Sequence, residues 1–331
     1  MKQHGFTLIE VMISLFIGGL ILGGVMFTYV GMKLTTKDTM TIGELQESGR
    51  LAINIIQRDI EQVGFWGTFY DDSLTIANTT SLANPAGDCF EGDNNGSFPD
   101  LASSSNFRSI YAKTAGGSKE LNCVNNPLQG TDILQIKFLQ GDQLTVEAGN
   151  NETQINRNYF IAEQERAQFV RGIVAAASLN VNATVWPYSH HTYYISEQSY
   201  TVNNNSITVP ALMRKRLVAG NITTETIMEG VENMRFVFGL DTTANNRVDT
   251  YRSINQMTPT DWENRKGILT VQVFLLVRAL QPDAGLSIKN QTYTLGEDDN
   301  KRELTFTDNF RRTVFTTTIR LNNVGANLWR I

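Results

Sequence analysis

Residues 6–33 read FTLIEVMISLFIGGLILGGVMFTYVGMK, and from Val11 to Met32 the stretch carries no charge. As a helix that run spans about 33 Å, enough for the roughly 30 Å hydrocarbon core of a bilayer. One carboxylate, Glu10, stands at its front edge. A charge at the centre of a membrane helix costs about 2.5–3.5 kcal/mol on insertion scales, so this placement asks for a partner or for a seat at the headgroup boundary. A secretory signal has a basic region, then an apolar stretch, then a small-residue cleavage site. Here the small residue, Gly5, comes before the apolar stretch. Lys2 precedes the span and Lys33 and Lys37 follow it, so positive charge hardly sets its orientation.

Working outward, Gly18, Gly19, Gly23 and Gly24 lie inside the span. Gly19 and Gly23 form a small-x-x-x-small pair on which helices approach closely, although glycine is also simply common in membrane helices. Beyond the span, Ile42, Leu45, Gly49, Ala52, Ile56, Ile60 and Val63 recur at steps of three and four, one narrow stripe on a helix. Gly64 supplies the stop before Phe65-Trp66-Gly67. A helix from Phe6 to Val63 would run about 87 Å if unbroken. Its first half is naked apolar surface; its second half is amphipathic and is expected to lie against a domain.

After Gly64 the period changes. Leu134, Ile136 and Phe138 alternate with polar residues, as do Val271 with Val273 and the series Phe315, Thr317, Ile319 and Leu321. Tyr193-Tyr194-Ile195 and Ser206-Ile207-Thr208-Val209, separated by Asn203-Asn204-Asn205, read as a hairpin. Strands following one long helix predict an α+β fold with a mainly antiparallel sheet. Residues 78–130, rich in Asn, Ser, Gly and Pro, read as a long irregular insertion, either a partner-facing surface or a solvated loop. Within it, Cys89 and Cys123 are the two cysteines of the chain. A disulfide is the preferred reading, worth about 4 kcal/mol on the loop-entropy estimate, with two reduced thiols as the alternative.

The chain has 331 residues, a formal charge of -5 and a pI near 5.4. That balance argues against a dedicated nucleic-acid binder. Arg214-Lys215-Arg216 and Arg311-Arg312 are short runs, read as solvated faces. The three histidines are His4 and the pair His190 and His191. Neighbours on a strand point to opposite faces, poor geometry for joint ligation, so the pair reads as surface decoration. With no Gly-x-Ser-x-Gly, no His-Glu-x-x-His and no phosphate loop, the sequence gives no catalytic constellation, and no cofactor is expected.

Gly5-Phe6-Thr7-Leu8-Ile9-Glu10, set behind a short basic leader and ahead of the span, resembles the prepilin class of type IV pilins and type II secretion pseudopilins. The resemblance implies cleavage between Gly5 and Phe6 by a membrane prepilin peptidase, N-methylation of Phe6, and retention of the apolar segment. It also implies that Glu10 pairs with the amine of Phe6 on a neighbouring subunit. The chain then divides into a leader (1–5), a membrane and filament-core helix (6–32), its amphipathic continuation (33–63) and a β-rich domain (64–331).

Further blocks are similar to PilW-type minor pilins: Gly49-Arg50-Leu51-Ala52, Arg58-Asp59-Ile60, Gly64-Phe65-Trp66-Gly67, Ala211-Leu212-Met213-Arg214-Lys215-Arg216, Glu229 to Phe236 running into Gly239-Leu240-Asp241, Asp261-Trp262, and Arg312 to Leu321. Between Asp71 and Ala183 little matches. The family implies an interaction protein that joins other minor pilins and the assembly platform, first in the bacterial inner membrane with its C-terminal domain in the periplasm, then in the pilus near its tip. A minor pseudopilin shares the leader and helix and is the alternative. In the family, the segment after Gly-x-Asp often looks able to hold calcium. Here Asp241 to Asp249 has two aspartates, an arginine and no glycine, and reads as an ordinary turn rather than a metal site.

Overall fold

The computed structural model describes residue 5 and residues 7–71, 73–202, 205–283 and 290–324. The chain forms two compact units, Met1–Glu47 and Ser48–Ile331. Helix α1, Leu8–Glu61, runs through both. In the first unit the helix is long and apolar enough to cross a membrane, and none of that apolar window is buried within the chain. Five of its hydroxyls are satisfied internally. Ser14, Thr28, Thr35, Thr39 and Thr41 each donate to the carbonyl four residues back, at 2.7–3.0 Å. A hydroxyl bonded to its own helix is compatible with an apolar surrounding.

In the second unit the helix buries Gly49, Ala52, Ile56 and Ile60. The expected stripe is present from Leu45 to Val63; Ile42 departs from it at 44% exposed. Glycine at 49 is a packing requirement, since a Cβ there would lie 2.2 Å from the ring of Phe315. The helix ends at Glu61, and Gly64 turns the chain with a φ of +89°, a conformation that glycine adopts without strain.

The larger sheet has a long strand as its spine. Its principal strands are β1 (Ile110–Thr114), β2 (Asp132–Leu139), β3 (Asn158–Ala162), β4 (Ala167–Arg171), β5 (Thr184–Val202), β6 (Asn205–Val218) and β7 (Asn221–Glu229). Strand β5 pairs antiparallel with β6 over His191–Val202, with β2 over Tyr188–Tyr193 and with β3 over Thr184–Pro187. Strand β1 extends the β2 side, β4 the β3 side and β7 the β6 side. The hairpin expected around Tyr193 and Ser206 is the β5–β6 pair, with Ser199 opposite Thr208. Asn203 and Asn204 lie outside the described residues.

The second sheet is antiparallel, in the order β9 (Thr250–Ser253), β8 (Val231–Leu240), β10 (Ile268–Arg278) and β13 (Arg312–Arg320). Strands β11 (Gln291–Leu295) and β12 (Arg302–Phe306) form a separate hairpin. Short helix α2, Pro259–Glu263, starts at a capping box between Thr258 and Asp261 and seats Trp262 edge-on against Phe238 at 4.9 Å between ring centroids. The whole is α+β and mainly antiparallel, as the periodicities predict.

The insertion is more ordered than its composition suggests. Residues Ile110–Thr114 pair with β2, and Cys89 and Cys123 are joined in a disulfide. Leu121, Val124 and both half-cystines pack with Ile133, Tyr194 and Met213 of the sheet. Its Asn content has a backbone reason: Asn94, Asn122 and Asn126 adopt positive φ, a region Asn tolerates better than most residues. The turn Phe65-Trp66-Gly67 feeds an aromatic core in which Trp66 meets Phe160, Phe169 and Tyr188.

Candidate functional site

The assembly motif is described at Gly5, Thr7 and Glu10, whereas Phe6 lies outside the described residues. Thr7 stands directly before α1, and its backbone N–H and its Oγ1 both donate to Glu10 Oε2 at 2.9 Å. The amide of Glu10 returns a longer bond to Thr7 Oγ1 at 3.4 Å. This is a capping box, in which two amides at a helix start are satisfied reciprocally. It holds the carboxylate at the tip of the span on an exposed side chain. The spacing Thr-x-x-Glu was visible in the sequence, and a capping signal of that kind could have been read from it.

Gly19 and Gly23 are exposed, and no atom lies within 4 Å of a Cβ built on either. Around them Leu15, Phe16, Leu20, Leu22 and Met26 stand in the open. Such a surface has no partner within the described chain and is suited to lipid or to other helices.

In the β domain, adjacent histidines do turn to opposite faces, as strand geometry predicts, but neither decorates the surface. His190 and His191 are 1% and 5% exposed. His191 Nδ1 donates to Asp59 Oδ2 of α1 at 2.5 Å. On the other face His190 Nδ1 donates to Ser97 Oγ at 2.7 Å, and that hydroxyl donates to Asp88 Oδ1 at 2.5 Å. Burial holds His190 well below the ordinary histidine range, with Lys137 and then His191 adding to the effect. The pair therefore fastens two different segments, α1 and the insertion, to one strand.

The prokaryotic N-terminal methylation motif matches residues 1–26. The family model described as type IV pilus-assembly protein W matches residues 192–323, from the middle of β5 through the end of the second sheet. The chain matches the PilW-like type IV minor pilins. No curated protein and no solved structure gives a significant match. The two matches support a type IV pilus-related pilin, and with the apolar N-terminal helix they imply a membrane anchor, assembly with other pilins and processing by the prepilin peptidase.

Other residues expected at the surface are also engaged. Arg214 donates to Glu225 Oε1 at 2.8 Å and to Tyr193 Oη at 3.2 Å, and Arg312, fully buried, pairs with Glu232 at 2.5 Å and Asp308 at 2.6 Å. Arg214 and Arg312 are structural pairs because Glu225 of β7 and Glu232 of β8 come beside them on folding, whereas Arg216 stays exposed as expected. In the loop after β8, Asp241 accepts the amides of Thr243, Asn245 and Asn246, and Asp249 accepts those of Thr242 and Thr243. Bonds from the Thr242 amide above all hold Asp249 below the usual carboxylate range. The two carboxylates close the loop on itself, and among the described residues no group of three His, Cys, Asp or Glu is placed to hold a metal ion.

Proposed function

We propose that this protein is a non-enzymatic minor pilin that takes part in type IV pilus assembly, in an initiation or tip complex with other minor pilins, and supports piliation and twitching motility. The observation that carries this reading is the exposed apolar helix with Glu10 held at its tip, on a chain whose distal half matches the PilW family. Residues 1–5 act as the leader, 6–32 as the membrane and filament-core helix, 33–63 as its continuation, and 64–331 as the domain that selects neighbours. Cleavage falls between Gly5 and Phe6, and Phe6 is methylated. Glu10 then exchanges its local Thr7 contacts for the cationic amine of Phe6 on the adjacent subunit; an apolar surrounding strengthens such a pairing. Gly19 and Gly23 allow the close helix approach.

The protein begins in the inner membrane with its β domain in the periplasm, a compartment that sustains the Cys89–Cys123 bridge, and then enters the pilus. Co-purification of the tagged chain from native membranes tests the reading. Other minor pilins and the assembly platform should be recovered with the wild type and lost with Glu10→Ala. Recovery of secretion-machine components would replace it with a minor pseudopilin of a type II system. Retained piliation and twitching after deletion of the gene would remove the assembly role.

A further inference from the structure

The hairpin of β5 and β6 runs past the sheet that carries it. On one side β2 covers β5 as far as Tyr193, and a single bridge from Pro127 meets Ser196. On the other side β7 joins β6 from Ala211 onward. Outward of those points, among the described residues, Glu197–Val202 and Asn205–Pro210 have only each other as strand partners. Glu197, Ser199, Thr201, Ser206 and Thr208 are exposed, and Tyr200 and Ile207, directly opposite each other, are 41% and 44% exposed.

The two edges of this arm differ. Leu128 N–H donates to the Ile195 carbonyl and Gln140 N–H to the Pro187 carbonyl, both at 2.8 Å, so the odd-numbered residues of β5 aim their main-chain groups at the β2 side. Alternation carries that direction on to Glu197, Ser199 and Thr201. Gln198 Nε2 donates to the Glu197 carbonyl at 3.2 Å, and among the described residues nothing bonds to the outward main chain of Ser199 or Thr201. That edge carries no lysine, no proline and no bulge, the usual guards of an open strand. The β6 edge is guarded. Arg278 Nη2 donates to the Thr208 carbonyl at 3.3 Å, and Pro210 has no N–H to offer.

An extended row of unpaired main-chain donors and acceptors is matched by another strand. Glu197 is the one charge from Glu197 to Pro210, and its position selects which strand fits. Laid antiparallel on a second copy about a two-fold axis at Ser199, the row sets Ser199 against Ser199 and Glu197 against Thr201, which keeps the two carboxylates about 14 Å apart. Tyr200, whose hydroxyl donates to Glu229 Oε1 at 2.5 Å, then lies against Gln198 of the second copy. A parallel copy in register sets Glu197 against Glu197. We propose that the β5 edge, Glu197–Val202, is a docking surface for the same edge of a second copy of this chain, joining two arms into one four-stranded sheet. The contact is isologous and closes as a pair. It goes beyond the pilus-assembly reading and takes from it only the membrane that both chains share, which raises the local concentration for a short edge.

The test places single added cysteines in the full chain, whose own two are joined to each other, reconstituted in phosphatidylcholine vesicles and oxidised with copper phenanthroline. In the proposed register the two Ser199 Cα atoms stand about 5.5 Å apart, within disulfide reach, and the two Thr201 Cα atoms about 14 Å apart, beyond it. Ser199→Cys should cross-link to itself many-fold more than Thr201→Cys does, and Glu197→Cys mixed with Thr201→Cys should give the mixed product. Adding Thr201→Glu to Ser199→Cys should cut the yield several-fold, because each new carboxylate meets Glu197 of the other copy; further substitution Glu197→Lys in the same chain should restore it and shows that the arm still folds. A Thr201→Cys self cross-link equal to that of Ser199→Cys, no Ser199→Cys cross-link, or a yield that Thr201→Glu leaves unchanged or Glu197→Lys does not restore overturns the proposal. Only this chain is present in the vesicles, so failure there leaves the pilus reading to its own co-purification test.

Discussion

Asp59 on α1 and His191 on β5, 132 positions apart in sequence, share a hydrogen bond of 2.5 Å. The same carboxylate oxygen accepts the hydroxyl of Tyr193 at 2.5 Å, and Arg214 stands 3.6 Å away. One buried carboxylate near the helix end is thus met by groups from β5 and β6. Removing it leaves His191 and Tyr193 without this acceptor and takes a nearby carboxylate from Arg214, which for a buried pair costs about 3–5 kcal/mol. Asp59→Leu should lower the urea midpoint of the full chain in non-ionic detergent accordingly, and Tyr193→Phe should cost only about 1 kcal/mol. An Asp59→Leu midpoint equal to wild type would show that the apolar stripe alone docks the helix.

Lys137 on β2 is fully buried and donates to the carbonyls of Asn95 and Arg108, both in the insertion, at 2.9 Å. Burial pushes its amine down to about 7 from the ordinary 10.5; nearby Asp88 opposes the shift and Arg108 adds to it. The unfolded chain holds this proton to higher pH than the folded chain does. Between about 7 and about 10.5 the unfolded state therefore binds more protons, and stability rises with pH by up to about 1.4 kcal/mol per unit. Denaturant titrations across that window should show the rise, and Lys137→Met should flatten it. A wild-type slope unchanged by the substitution would assign the dependence to other groups.

At Gly49 the absence of a side chain admits the Phe315 ring, so Gly49→Val overpacks the helix–sheet contact by about 1–3 kcal/mol. Adding Phe315→Ala should recover part of that loss in the double variant. If Phe315→Ala gives the same loss with and without Gly49→Val, the two positions are not coupled in solution.

The Cys89–Cys123 bridge closes a loop with a sequence separation of 34, and Cys89 also offers its carbonyl to Gln135 Nε2 at 2.6 Å. Cys89→Ser with Cys123→Ser should cost about 3–4 kcal/mol on the loop-entropy estimate. Limited proteolysis should then cut within residues 78–130 first, in the segments next to Cys89 and Cys123 that the bridge ties together. Intact mass of wild-type chain should show no free thiol. Two free thiols, or wild-type protease resistance in the double variant, would remove the bridge from the account.

Local chemistry was enough for the long helix and for the strands around Ile136, Tyr193, Val273 and Phe315. An uncharged run of membrane length, a three-and-four stripe ending at glycine, and period-two alternation around Ile136, Val273 and Phe315 each depend on neighbours a few positions apart, so they are legible along the chain. The six residues from Gly5 to Glu10 carried the assembly motif in the same way. What tertiary structure decided was the partner of each polar side chain. Nothing near His191 announces Asp59, nothing near Arg312 announces Glu232, and the strand at Ile110 is hidden among turn-formers until β2 pairs with it. Burial of a charge or an imidazole is set by elements that meet only on folding, and its cost is met by groups distant in sequence, 80 positions away for Arg312 and Glu232 and 132 for His191 and Asp59. For that reason His190, His191, Arg214 and Arg312 looked like surface in the sequence and are fastenings in the fold, while Arg216 remains exposed.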